Sequence, residues 1–218
     1  LTLAILETGA PVTAVEIDHR LAERLPATAA AHGVPDGALT VVAQDALRVS
    51  ELPGDPDVLV ANLPYNVSVP VLLHFMEHFP TIQRGVVMVQ AEVGERLAAP
   101  SGSKVYGAPS VKAAWYGTWR LAGTVSRQVF WPVPNVDSVL VGFERDAAAR
   151  GTEEERLRTF AIVDAAFQQR RKMLRQALSA VLGGSSAAAS EVLERAGVAP
   201  TARGEELTIE DFVRIARA

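Results

Sequence analysis

At 218 residues, 49% of them hydrophobic and 21% charged, the chain is long enough to bury a sizeable core and reads as one large domain or one plus a small appendage. It has no cysteine, which excludes disulfides, thiolate nucleophiles and cysteine-based metal sites together. A formal charge of -4 argues weakly against a general nucleic-acid binder, no apolar run approaches the roughly 20 residues of a membrane span, and no charged-then-apolar opening suggests secretion.

Leu1 to Glu7 reads as the end of a helix, stopped by Gly9 and Pro11. Val12 to Ile17 follows as an apolar strand ending in Glu16-Ile17-Asp18. A carboxylate at the end of the second strand of a nucleotide-binding α/β unit is suited to accept hydrogen bonds from two ribose hydroxyls, which makes Glu16 a candidate. Asp18 is more simply the cap of the next helix, whose buried stripe is expected at Leu21, Ala22, Leu25 and Ala29 and whose end lies at Gly33 to Gly37. Leu39 to Ala43 is the next strand. Asp45 falls just past it, where a carboxylate can take the amino group of a cofactor adenine.

Val58 to Ala61 is a short continuous apolar run of the kind that makes a buried strand, and Asn62-Leu63-Pro64-Tyr65 breaks it. Chemistry on open α/β sheets sits at the carboxyl ends of strands. An exocyclic adenine amine is a poor nucleophile because its lone pair is delocalised into the ring. Two acceptors, the Asn62 side-chain oxygen and the backbone carbonyl of Leu63 or Pro64, would hold its N–H groups and aim the nitrogen at an electrophilic methyl, with positioning supplying roughly 7 to 11 kcal/mol of the barrier. Tyr65 would stack on the base and Pro64 stiffen the loop. The alternative is a plain turn after a strand. Glu16, Asp45 and Asn62 at three strand ends carry more weight together than singly, provided they share one edge of a sheet.

Val69 to Phe79 is expected as a helix with Val71, Leu72, Phe75, Met76 and Phe79 facing the core. His74 and His78 have helical spacing, but with no third ligand they read as surface, so no metal is expected. Gly85 to Gln90 is a strand, Ala91 to Leu97 a short helix and Ala99 to Gly107 a loop. Leu121 to Val125 and Val136 to Phe143 read as an antiparallel hairpin joined through Val129 to Pro134, and Phe130 in that connection is placed to grip a base from the side opposite Tyr65. Asp146 to Thr152 marks a change of composition. Helices are then expected over Glu153 to Arg170 and Arg171 to Leu182, with a flexible linker at Gly183-Gly184-Ser185-Ser186 and further helices near Ala188 to Ala196 and Thr208 to Arg217. Glu153 to Glu155 suit a helix N-terminus, and Thr208 with Asp211 suits a capping box. Between Arg156 and Arg175 six basic residues stand against the single Asp164, a patch able to bind phosphates on an otherwise acidic chain.

In that order the chain presents Val15-Glu16-Ile17-Asp18, Gln44-Asp45-Ala46, Asn62-Leu63-Pro64-Tyr65-Asn66-Val67-Ser68, Gln90-Ala91-Glu92-Val93 with Arg96-Leu97, Ser103-Lys104-Val105-Tyr106-Gly107, Phe130-Trp131-Pro132-Val133-Pro134-Asn135-Val136-Asp137-Ser138 and Phe167-Gln168-Gln169-Arg170-Arg171-Lys172. The set closely resembles the KsgA/RsmA family of small-subunit ribosomal RNA adenine N6,N6-dimethyltransferases over nearly the whole length. The resemblance implies an α/β, Rossmann-like class I methyltransferase sheet, mostly parallel with an antiparallel hairpin at its end, over residues 1–147, and a small all-helical RNA-contacting domain over 148–218. It implies S-adenosyl-L-methionine as methyl donor, with Glu16 on its ribose, Ile17 against its adenine, Asp45 and the Ala46 backbone on its adenine amine, and Asn62 beside the transferable methyl. Asn62, Leu63, Pro64 and Tyr65 would be catalytic, Tyr65 and Phe130 the base-stacking pair, and Arg170, Arg171 and Lys172 an RNA contact.

The implied partners are small-subunit ribosomal RNA and the pre-ribosomal small subunit, met by a cytoplasmic monomer with no membrane or metal. One departure is that no Gly-x-Gly pattern precedes Glu16, whereas the family begins with a strand and a glycine-rich loop; the expectation is that the chain is N-terminally incomplete and by itself binds the cofactor poorly. The competing readings are a 23S ribosomal RNA adenine methyltransferase of the antibiotic-resistance type, and a non-catalytic RNA-binding assembly or transcription factor.

Overall fold

The computed structural model describes residues 1–218 and begins with α1 (Thr2–Leu6), which leads into β1 (Val12–Val15). After α2 (His19–Ala31) the chain returns as β2 (Leu39–Val42), which pairs in parallel with β1 in the register Val12↔Leu39 to Val15↔Val42. α2 starts where the sequence places it because the Asp18 side chain accepts the Arg20 backbone N–H at 2.9 Å. The Arg20 guanidinium closes on the same carboxylate and holds it below its ordinary pKa. Of the expected stripe on α2, Ala22 and Ala29 are buried, two turns apart on one face, while Leu21 is turned outward and exposed.

β3 (Val58–Asn62) leads through the Leu63–Val67 turn into α3 (Ser68–His78), and β4 (Arg84–Gln90) follows. Leu72 and Met76 on α3 are almost wholly buried, with Val71, Phe75 and Phe79 beside them, as the 3.6-residue period requires. Burial of such a side chain contributes about 1.5–3 kcal/mol. β3 differs from expectation. Its burial alternates rather than running continuously, so that Val58, Val60 and Asn62 share an exposed face and Leu59 and Ala61 turn inward. His74 spends its Nε2 on the Val49 carbonyl at 2.7 Å, and its ring lies 4.1 Å from that of His78.

Two compact units make up the chain, Leu1–Val87 and Met88–Ala218, and the division falls inside β4. The strands form a two-stranded sheet, β1-β2, and a four-stranded one whose order from β3 is β3-β4-β6-β5. In the second unit, α4 (Ala91–Leu97) and α5 (Ala108–Ala114) precede β5 (Gly117–Val125), and β6 (Ser138–Arg145) returns antiparallel to β5 from Gly117↔Arg145 to Val125↔Ser138. The expected hairpin is present, with a one-residue bulge at Ala122 and a longer first strand than the sequence suggests.

Helices complete this unit: α6 (Glu153–Gln168), α7 (Leu174–Ala177), α8 (Ser186–Arg195) and α9 (Ile209–Arg217). Reciprocal capping boxes start α6, at Thr152 and Glu155, and α9, at Thr208 and Asp211. Phe212, Ile215, Leu178 and Leu193 are wholly buried and form the core of this part. The helical segment packs against the region before β5: Lys112 pairs with Asp164 at 2.7 Å, the Trp115 and Phe160 rings meet edge to face, and the Tyr106 hydroxyl donates to the Leu207 carbonyl at 2.8 Å.

Two expectations fail in the helical segment. The chain does not run from one helix directly into another at Arg170–Arg171; it turns over residues 169–172 into α7, a single turn whose first N–H groups, those of Leu174 and Arg175, donate to the carbonyls of Ala202 and Pro200. Gly183-Gly184 is an ordered turn rather than a flexible linker. Both glycines are left-handed, the Gly184 N–H reaches the Ser179 carbonyl at 2.8 Å, and the Ser185 hydroxyl caps α8. No helix is long and apolar enough to cross a membrane.

Candidate active site

Register brings Glu16 and Asp45 to one edge. Val15 and Val42 are partners at the carboxyl ends of β1 and β2, the Glu16 N–H continues the pairing onto the Val42 carbonyl at 3.0 Å, and Asp45 lies three residues beyond Val42. Both side chains are half-buried and locally braced. Glu16 Oε1 accepts the Asp18 N–H at 2.9 Å, and Asp45 Oδ1 accepts the Leu47 N–H at 2.9 Å, with Arg48 Nε 3.9 Å from the other oxygen. One oxygen of each carboxylate is thus engaged in its own turn, and a bent backbone carries each carboxylate past its strand. Ile17, next to Glu16, is 63% exposed, an apolar side chain in water beside a polar one. Ala46 is half-buried in the turn that Asp45 opens.

Asn62 ends β3, exposed, and Leu63 behind it is buried and anchors the turn. Pro64 is exposed and Tyr65 half-buried. The Pro64 carbonyl accepts the Val67 N–H at 3.2 Å, and the buried Ser68 hydroxyl donates to the Tyr65 carbonyl at 3.3 Å, so the turn is tied into the first turn of α3. The Pro64 carbonyl is thus engaged within the turn next to the Asn62 amide. Glu16 and Asp45 belong to the two-stranded sheet and Asn62 to the four-stranded one, so the three do not share an edge of one hydrogen-bonded sheet as the sequence suggested. No β-ladder joins β1 or β2 to β3.

A family model described as "Ribosomal RNA adenine dimethylase" matches residues 1–218. The chain belongs to that family. Among its relatives, "Ribosomal RNA small subunit methyltransferase A" of Leifsonia xyli subsp. xyli is 69% identical over 218 residues, 99% of this chain and 77% of that one. The protein of the same name from Streptomyces coelicolor is 58% identical, covering 99% of this chain and 76% of that one. A dimethyladenosine transferase from Plasmodium falciparum superposes with a TM-score of 0.81 at 23% identity, over 98% of this chain and 83% of its own. The 23S rRNA methyltransferase ErmE gives 0.66 at 24% identity, over 95% and 81%. These two likenesses concern the fold, a Rossmann-like methyltransferase arrangement of parallel strands, helices and a terminal antiparallel hairpin.

The dimethylase-family motifs of the second unit are placed as follows. Phe130 is half-buried and extended, directly after a 3-10 turn at Arg127–Val129. Arg170 is not a free cation: its Nε donates to Glu205 at 2.7 Å and its terminal nitrogen to the Lys104 carbonyl at 2.9 Å. Arg171 and Lys172 are exposed on the turn after α6. The wider basic patch is smaller than the sequence suggests, because Arg156 is 6% exposed, ion-paired to Glu153 and stacked 5.1 Å over Phe160.

Sequence reasoning missed two supports. Ser68 fixes the Tyr65 carbonyl, and the only hint was a hydroxyl three residues after the aromatic. Arg127 clasps Asp137 across the loop carrying Phe130, with Nε and a terminal nitrogen on the two carboxylate oxygens at 2.5 and 3.0 Å. Opposite charges flanking a proline-rich connection were the available signal.

Proposed function

We propose that this chain carries the catalytic and RNA-contacting residues of an enzyme that transfers methyl groups to the N6 amines of adenines in small-subunit ribosomal RNA, giving N6,N6-dimethyladenosine during ribosome assembly. The observation that carries this is the strand-terminal Asn62-Leu63-Pro64-Tyr65 turn, with its exposed amide, engaged Pro64 carbonyl and braced Tyr65, in a chain 69% identical to a small-subunit methyltransferase. Residues 1–147 form the methyltransferase part and 148–218 the RNA-contacting part. The protein works in the cytoplasm as a monomer on the pre-ribosomal small subunit.

The residues present fit S-adenosyl-L-methionine as donor. Glu16 offers its second oxygen to a ribose diol, exposed Ile17 offers an apolar surface to an adenine ring, and Asp45 with the Ala46 backbone offers a polar edge to that ring's amine. When bound, this group supplies an electrophilic methyl. Asn62 Oδ1 and the Leu63 carbonyl accept the two N–H groups of the target amine and favour the pyramidal nitrogen that attacks. Because the partial positive charge on that nitrogen grows in the transition state, these acceptors act mainly there. Tyr65 offers a stacking face to the extruded base, Phe130 is a further aromatic surface for a base, and Arg171 and Lys172 meet phosphates.

The test is methyl transfer to unmodified small-subunit RNA, read by mass spectrometry of nucleosides. In the full-length protein, Asn62→Ala is expected to lower kcat about 100-fold while RNA and cofactor affinities change less than about threefold. Unchanged turnover, or dimethyladenosine formed on large-subunit RNA instead, would overturn the reading.

A further inference from the structure

Trp131 is 95% exposed, whereas Trp115 and Trp119 are 6% and 8% exposed. The fold buries its other indoles and leaves this one in water, in company: Val129, Val133 and Val136 of the same loop are also exposed, and residues 128–136 carry no charge. Such a patch marks a surface that meets something flat and apolar.

The loop is also held still. The Ser126 hydroxyl accepts the Gln128 N–H, the Phe130 N–H reaches the Arg127 carbonyl at 3.2 Å, and Arg127, besides clasping Asp137, donates to the Asn135 carbonyl at 3.2 Å. Pro132 and Pro134 fix two further φ angles. An aromatic presented on a fixed loop loses little freedom on binding. Phe130 is half-buried in extended backbone (φ -104°, ψ 148°), while Trp131 beside it is almost wholly exposed, so the two rings stand in different surroundings.

We propose that Trp131 is a second stacking surface for RNA, taking an unpaired nucleobase that neighbours the target adenine. This rests on the RNA-methylating reading above and extends it to the flanking nucleotide. Every base has a π-face, so the contact supplies affinity and alignment without choosing a sequence. A nucleobase suits the site better than an apolar peptide, since the loop offers one wide exposed ring, followed by two prolines and flanked by small exposed valines, rather than a groove.

The test uses intrinsic emission, with Trp131→Phe, which keeps the two buried indoles, as the baseline that isolates the Trp131 signal. The ligands are single-stranded oligoadenylate, heparin as a polyanion without bases, and anionic phospholipid vesicles. Oligoadenylate is expected to quench Trp131 and heparin not to. Trp131→Ala and Trp131→Leu are expected to weaken RNA binding about tenfold and Trp131→Phe less than about threefold, all three melting with the wild type. Wild-type RNA binding left intact by Trp131→Ala would overturn this inference alone. Rescue by leucine, or quenching by vesicles without quenching by oligoadenylate, would also overturn it, in favour of a protein or lipid contact. A wild-type protein that neither binds RNA nor methylates it would overturn the functional reading as well.

Discussion

Gly94, in the middle of α4, is expected to be intolerant of even one methyl group. A Cβ built there lies 2.3 Å from Val139 Cγ2 and 2.9 Å from Val141 Cγ2 on β6. Carbon atoms rest at about 3.5 to 4.0 Å, so α4 or the valine must move by roughly 1.2 Å or more. Overpacking of that kind costs about 1–3 kcal/mol, and the better helix propensity of alanine returns about 1. The expected net loss for Gly94→Ala is therefore up to about 2 kcal/mol, or a Tm lower by up to roughly 8 °C for a chain of this size. The obstacle is a side-chain methyl, so it can be removed. Val139→Ala alone leaves a cavity and destabilises, but combined with Gly94→Ala the loss should be smaller than the sum of the single losses by at least about 1 kcal/mol. Thermal and urea unfolding of the four proteins measure the cycle. A higher Tm for Gly94→Ala, or strict additivity, would refute the claim that glycine is there for close helix-on-strand packing.

Arg171→Ala with Lys172→Ala is expected to weaken single-stranded RNA binding and to flatten the slope of log K against log salt by about 1.4, while leaving cofactor binding unchanged; a slope equal to the wild type's would return both residues to an ordinary solvated turn. Burial, with Glu210 and Asp211 adding to it, pushes the Tyr106 phenol up to about 12. The folded state thus holds this proton more tightly than the unfolded chain, whose tyrosine titrates near 10, so its contribution is complete below about pH 10 and is lost as pH rises toward 12. Tyr106→Phe is expected to cost about 1 kcal/mol at pH 8 through the lost bond to the Leu207 carbonyl, and to lose less stability than the wild type between pH 10 and 12. Parallel pH dependence of the two proteins in urea melts would contradict the assignment.

Features encoded within a few residues are legible in the amino-acid order alone. Asp18 before α2, and Thr208 before α9 with its acid three positions on, announce helix starts because capping is a local hydrogen-bond problem. The β5-β6 hairpin, the α3 stripe and the strand-terminal Asn62 turn are readable from period and punctuation for the same reason. What escapes depends on distant partners. α5 goes unassigned because its seven residues carry little periodicity, although Gly107, Pro109 and Ser110 mark its start; its Ser110 hydroxyl also spans to the Arg96 carbonyl. After the turn at residues 169–172 the first α7 amides are held by carbonyls near residue 200, partners that no window around Arg170 can reveal. The same holds for Arg170 itself, which reads as an RNA contact by its position in the basic run, whereas Glu205 and Lys104 engage its guanidinium in the fold.

Glu205 does more than anchor one arginine. Its carbonyl also receives the Gly102 N–H at 2.8 Å, so a single residue in the Gly204–Glu206 turn fastens the loop around Lys104 to the corner after α6. By cancelling that carboxylate where it stands, Arg170 keeps an anion from dimming the potential around its two outward neighbours. A run of three cations is thereby split, one serving as a local counter-ion to Glu205 while Arg171 and Lys172 stay exposed on the turn.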